Sequence, residues 1–173
     1  MNNIKVISLI GFLGFLVCLF IMYRTGYGIR GIQVHSPSFR LLDMRFYYNP
    51  DTVKQTFEQI GKGGRYAYQR YLVLDFIFIL CFLITMITIL NFININVQIR
   101  TMLCILCGMR ALFDVIENLL LIHMLRQYPR FNEFLASACS CFTTFKFIML
   151  YFWLFIILMQ ILRSISSLFK IQL

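Results

Sequence analysis

Hydrophobic positions along the chain gather into four long runs separated by polar stretches: Ile4 to Met22, Tyr66 to Ile93, Ile99 to Leu125 and Phe134 to Leu162. A helix needs about 20 mostly apolar residues to cross a bilayer, and each run is near or above that length. The second run is free of charge from Phe76 onward. The third is interrupted by Arg110, Asp114 and Glu117, and the fourth only by Lys146. Backbone groups in lipid must bond within their own segment, so all four runs are predicted as helices. No alternating strand pattern occurs, which argues against a β-barrel. The predicted fold class is all-α, a four-helix transmembrane bundle forming a single integral membrane domain over 1–173. Its spans are placed at about 4–22, 66–93, 99–125 and 134–162.

The first run holds about 17 apolar residues, more than the ~7–15 of a signal-peptide core. Tyr23, Arg24 and Thr25 follow it rather than a small-x-small cleavage site. It reads as an uncleaved anchor.

The longest connection, Tyr23 to Arg65, contains a helix signature of its own. Asn49 is a suitable cap, Pro50 fits the first helical position, and Asp51 complements the positive helix end. Val53, Phe57 and Ile60 follow at i, i+4 and i+7. The spacing predicts a short amphipathic helix over about 50–60, lying on the bilayer surface or against the mouth of the bundle. Gly61 suits its stop, and Gly61-Lys62-Gly63-Gly64 is expected to turn the chain into the second span.

Composition narrows the class further. Hydrophobic residues make up 60% and charged residues 13%, with 19 Phe and 9 Tyr; soluble domains average roughly 45–50% and about 25%. A soluble monomer, a disordered chain and a secreted disulfide scaffold are excluded on that ground. The net charge of +9 suits a surface facing anionic lipid. The basic residues form no dense run on a soluble face, so nucleic acid is not an expected partner. With four spans, both termini share one side with Lys5, Arg100, Arg163 and Lys170. Arg24, Arg30, Arg40, Arg45, Lys54, Lys62, Arg65, Arg70, Arg126 and Arg130 fall on the other. The positive-inside rule then predicts cytoplasmic connections and non-cytoplasmic termini.

Charged groups at bilayer depth are rare and point to a site. Helical spacing puts Arg110, Asp114, Glu117 and Asn118 on one face of the third span. Lys146 is near the middle of the fourth span, and Asp75 a few residues from the middle of the second. Two cations face three carboxylates, leaving one negative charge in excess. A buried carboxylate without a partner takes up a proton, and Asp114 or Glu117 is expected to do so. Ser137, Ser140, Thr143 and Thr144 offer hydroxyls from the fourth helix, while Arg65 and Tyr68 are expected at the mouth beside Asp75.

Other motifs carry less. Gly26-Tyr27-Gly28-Ile29-Arg30-Gly31 fits the dinucleotide spacing but follows a predicted span instead of a strand, so it reads as a flexible loop. Cys104 and Cys107 form a CxxC, and Cys139 and Cys141 a second close pair, at opposite faces of the predicted bundle. Packing is the expected role, ahead of thiol oxidoreduction. His35 and His123 are too far apart to share a metal, and no cofactor is expected. Gly11 and Gly14 would let a neighbour approach the first span closely.

Several pieces between Asp43 and Lys146 resemble a family of small four-span membrane proteins with no established activity. They include Leu42-Asp43, Tyr48-Asn49-Pro50, Gly61 with Gly64-Arg65 and Tyr68, and Leu74-Asp75 with Phe78. Further along come Asp114-Val115-Ile116-Glu117-Asn118, Tyr128-Pro129 and Thr144-Phe145-Lys146. Where the related proteins usually carry proline after that phenylalanine, this chain has Ile79. The resemblance implies a four-helix fold and names no reaction.

The function expected from the sequence is a non-enzymatic multi-pass membrane protein whose interior charges bind a lipid headgroup or small polar ligand. The candidate residues, expected to form either that binding site or a structural ion-pair network fixing helix register, are Arg65, Tyr68, Asp75, Arg110, Asp114, Glu117, Asn118 and Lys146. Expected partners are membrane lipid and, through its many phenylalanines, another membrane protein or a second copy. An accessory subunit of a larger complex is the alternative; a membrane enzyme or a proton-linked transporter ranks below it.

Overall fold

The structure, a computed structural model, describes residues 2–93 and 95–171, with side chains described for 4–93, 95–164 and 166. All regular structure among the described residues is helical. The elements are α1 (Asn2–Arg24), α2 (Ile29–Gln33), α3 (Pro50–Gln59), α4 (Gly61–Phe92), α5 (Val97–Gln127) and α6 (Glu133–Ile171). Three segments are long and apolar enough to cross a membrane by length and composition: Ile4–Gln33, Gly61–Phe92 and Glu133–Ser164. The 31-residue α5 is equally long, but Arg110, Asp114 and Glu117 interrupt its apolar run.

The long helices pack as neighbours in chain order: α1 on α4, α4 on α5, and α5 on α6. Each pair is antiparallel, because contacts that advance along one helix retreat along the other. Ser8 meets Thr88 while Phe15 meets Phe78, and Glu117 meets Thr143 while Asp114 meets Lys146. The α1–α4 contact is close because α1 offers glycine to it. A Cβ at Gly14 would lie 2.6 Å from the Cys81 sulfur, and one at Gly11 would run into the Ile84 side chain. Close van der Waals contact of this kind drives helix association in lipid, where no hydrophobic gradient does.

The first connection holds more structure than its sequence pattern suggests. The Gly26–Gly31 stretch, read above as a flexible loop, forms a turn and the start of α2, whose Ile32 is fully buried. The Gly61–Gly64 stretch does not turn the chain outside a helix. It is the first turn of α4, with Gly64 N–H bonding Ile60 C=O at 3.1 Å. The change of direction is made at Gly61 alone, whose φ of 62° is a conformation costly for any residue with a Cβ. The 60s glycines instead admit His35, whose ring lies where a Cβ on Gly63 would go.

In α3 the Asn49 side chain accepts the Thr52 N–H at 2.8 Å, and Val53, Thr56 and Phe57 are buried. The helix packs against α4 and α6, with the Phe57 ring edge-on to Tyr128 and Phe131. It is thus seated on the end of the bundle.

Two apolar clusters fill the interior. One, at the α3 end, gathers Phe57, Tyr68, Leu72, Leu121 and Met124 with Phe39, Leu42 and Tyr48 of the loop. The other, at the far end, gathers Met86, Leu90, Leu103, Cys107 and Trp153. The buried charges lie between them in sequence along α4, α5 and α6.

Candidate functional site

The centre of the site is a four-charge group shared by α5 and α6. The Lys146 ammonium is 2.7 Å from Asp114 Oδ1 and 2.7 Å from Glu117 Oε2. Asp114 Oδ2 pairs with Arg110 Nη2 at 2.8 Å, one helical turn away. All four residues are at least nine-tenths buried. Thr143 Oγ1 donates to the other oxygen of Glu117 at 2.6 Å. Spacing along α5 brings its three charges to one face, and the antiparallel α6 delivers Lys146 opposite them.

These two cations and two carboxylates balance. Asp114 and Glu117, between which the sequence places the acid in excess, each have a cation at ion-pair distance. Two further buried carboxylates, Asp75 and Asp43, have none among the described residues. Asp75 accepts the Asn118 amide at 2.7 Å. Asp43 accepts the Tyr68 hydroxyl at 3.1 Å, and Tyr68 in turn accepts the Leu42 N–H at 3.2 Å.

Asp43 is the site residue that the sequence pattern missed. It belongs to no periodic segment; its signals are the Leu42-Asp43 piece of the resemblance and its place directly after Leu41 and Leu42, which are themselves buried. The loop that carries it is pinned over the bundle by α6: Tyr48 N–H donates to Ser140 Oγ at 2.9 Å, and Thr144 Oγ1 donates to Phe46 C=O at 2.7 Å. Burial raises the Asp43 carboxyl above the usual aspartate range; Lys146 opposes this and Asp114 adds to it.

The expected residues do not all meet. Arg110, Asp114, Glu117 and Lys146 form one ion-paired group, Asp75 and Asn118 form a separate hydrogen-bonded pair beside it, and Tyr68 holds the loop above. Arg65 is elsewhere: its Nη1 donates to Phe57 C=O at 2.9 Å and its guanidinium lies 4.2 Å from the Tyr128 ring centroid. It fastens α3 to the end of α5. Ser140 and Thr143 join the ion-paired group or the loop, whereas Ser137 bonds Glu133 C=O on its own helix.

Beside the charges is a cavity of about 190 Å³ between α1 and α6, backed by α4 and α5. Asp43, Asp75, Arg110, Asp114 and Lys146 line it, together with apolar groups such as Leu19, Phe78 and Leu150. The Arg110 guanidinium lies 4.4 Å from the Phe82 ring centroid. Its Nε and Nη1 are buried and have no hydrogen-bond partner among the described residues. Unsatisfied donors of this kind are costly in a low-dielectric interior. Chemically, the cavity offers donors from two cations and acceptors from three carboxylates within an apolar frame.

Comparison with family models, curated proteins and solved structures found no match.

Proposed function

We propose that the chain is a four-span integral membrane protein that binds the polar headgroup of a membrane amphiphile in the charged cavity, without catalysing a reaction on it. The observation that carries this reading is Arg110. A guanidinium has been placed at the wall of an interior cavity with two nitrogens, Nε and Nη1, and their three N–H groups left over after its ion pair to Asp114. The apolar part of the lining suits the first carbons of an amphiphile below its head.

The outward face of α5 supports its assignment as the fourth span. Val97, Met102, Ile105, Met109, Leu112 and Leu119 are its large exposed hydrophobics, and Arg110, Asp114 and Glu117 are buried, so mid-helix α5 presents apolar groups outward and charges inward. The resemblance to four-span proteins supports the same count. The excess of basic residues around the α1–α4 and α5–α6 connections favours a cytoplasmic position for both, with the termini on the opposite side.

The test is native mass spectrometry of the gently solubilised protein and of Arg110→Gln. Lys146 remains to pair Asp114 in that variant, so it should fold. A bound amphiphile retained by the parent and lost by the variant is the expected result. A bare parent, or equal retention by both, would overturn the reading.

A further inference from the structure

On the opposite side of α4 from the charged cavity is a second recess, of about 580 Å³, walled by α1, α4 and α5. Its α4 residues include Tyr66, Arg70, Val73 and Ile77, whereas the charged cavity takes Tyr71, Asp75, Phe78 and Phe82. We propose that this recess is a binding site for an anionic glycerophospholipid, with Arg70 and Arg126 holding the phosphate and an acyl chain lying along Val73 and Ile77.

Charge is the first argument. Two arginines from different helices line the recess, and none of the chain's seven carboxylates does among the described residues. Neither arginine makes an ion pair there. Arg70 is held in place by the Tyr27 ring, 4.5 Å from its guanidinium carbon. A cation resting on an aromatic face keeps its in-plane N–H groups free to donate.

The order of the lining is the second argument. Arg126 is in the last turn of α5 and Arg70 near the start of α4, so both belong to the α3 end of the bundle, beside Tyr27 and Tyr66. Deeper along α4 come Val73, 60% exposed, and Ile77, 56% exposed. Arginine and tyrosine at the headgroup level over an apolar wall is the arrangement that bilayer lipids meet at protein surfaces. A free phosphate or a nucleic acid would leave that wall uncovered. This site depends on membrane insertion but not on the ligand proposed for the charged cavity.

The experiment places the protein in nanodiscs of equal parts phosphatidylglycerol and phosphatidylcholine and reads the retained lipid by native mass spectrometry after gentle extraction. The parent should retain phosphatidylglycerol in preference. Arg70→Gln combined with Arg126→Gln should weaken that preference roughly tenfold or more, from the attraction of two basic groups to anionic lipid. Ile77→Trp keeps both arginines and fills the wall at an exposed position, so it should lower retention without disturbing the fold. Arg110→Gln should leave the preference intact. No preference in the parent, or an unchanged preference in both the double variant and Ile77→Trp, would overturn the proposal. Loss of the preference in Arg110→Gln alone would move the anion to the charged cavity and overturn it equally.

Discussion

Lys146 and Asp114 are 32 positions apart in the chain and 2.7 Å apart in the bundle, Nζ to Oδ1. This contact, with the one from Lys146 to Glu117, is the ionic link between α5 and α6 among the described residues. Lys146→Met would leave Glu117 with no cation and Asp114 with Arg110 alone. Removing one partner of a buried pair costs about 3–5 kcal/mol. The variant should unfold at a markedly lower detergent-denaturant midpoint than the parent, as read by circular dichroism. A midpoint equal to the parent's would show that the link carries no stability.

The two classes of carboxylate should respond differently to neutralisation. Asp75 is bonded to a neutral amide, so Asp75→Asn can keep an acceptor toward Asn118 and should change stability by no more than about 1 kcal/mol, the scale of interhelical polar contacts. Asp114→Asn removes the shared counter-charge of Arg110 and Lys146 and should cost several times more. Equal denaturation midpoints for the two variants would contradict the assignment of the ion pairs.

What the sequence makes readable here is local. The face shared by Arg110, Asp114 and Glu117 follows from helical spacing, and the Asn49 cap and the Val53–Phe57 stripe mark α3 because each acts within a turn or two. Partner choice is tertiary. Nothing along the chain says that Lys146 takes both α5 carboxylates and leaves Asp75 to Asn118. Arg65 misleads for a similar reason: its position suggests the mouth, but the seating of α3 and the Tyr128 ring draw it away. Asp43 is invisible to periodicity because an irregular loop has none.

That loop is held by few groups, and Ser140 is the one whose loss is easiest to read. Its hydroxyl accepts the buried Tyr48 N–H at 2.9 Å. Ser140→Ala strands this donor at a cost of about 1–3 kcal/mol. Hydrogen exchange should accelerate over residues 38–48 while the α4–α5 core keeps its protection. Uniform acceleration would mean that the loop and the bundle open as one unit.

Asp43 supplies the pH signature of the same loop. Burial holds its carboxyl above the usual aspartate range in the folded protein, with Asp114 adding to the shift while Lys146 and the Tyr68 hydrogen bond oppose it. Between the unfolded value of about 3.9 and the raised folded value, the folded chain binds more protons at this site than the unfolded chain. Stability from this group is therefore complete below about pH 4 and lost as pH rises through the folded value. Asp43→Asn keeps an acceptor for Tyr68 and removes the titration. The difference in melting temperature, variant minus parent, should grow as pH is raised from about 4 and level off once the parent carboxyl is ionised. A difference independent of pH would show that Asp43 is not held above its ordinary range.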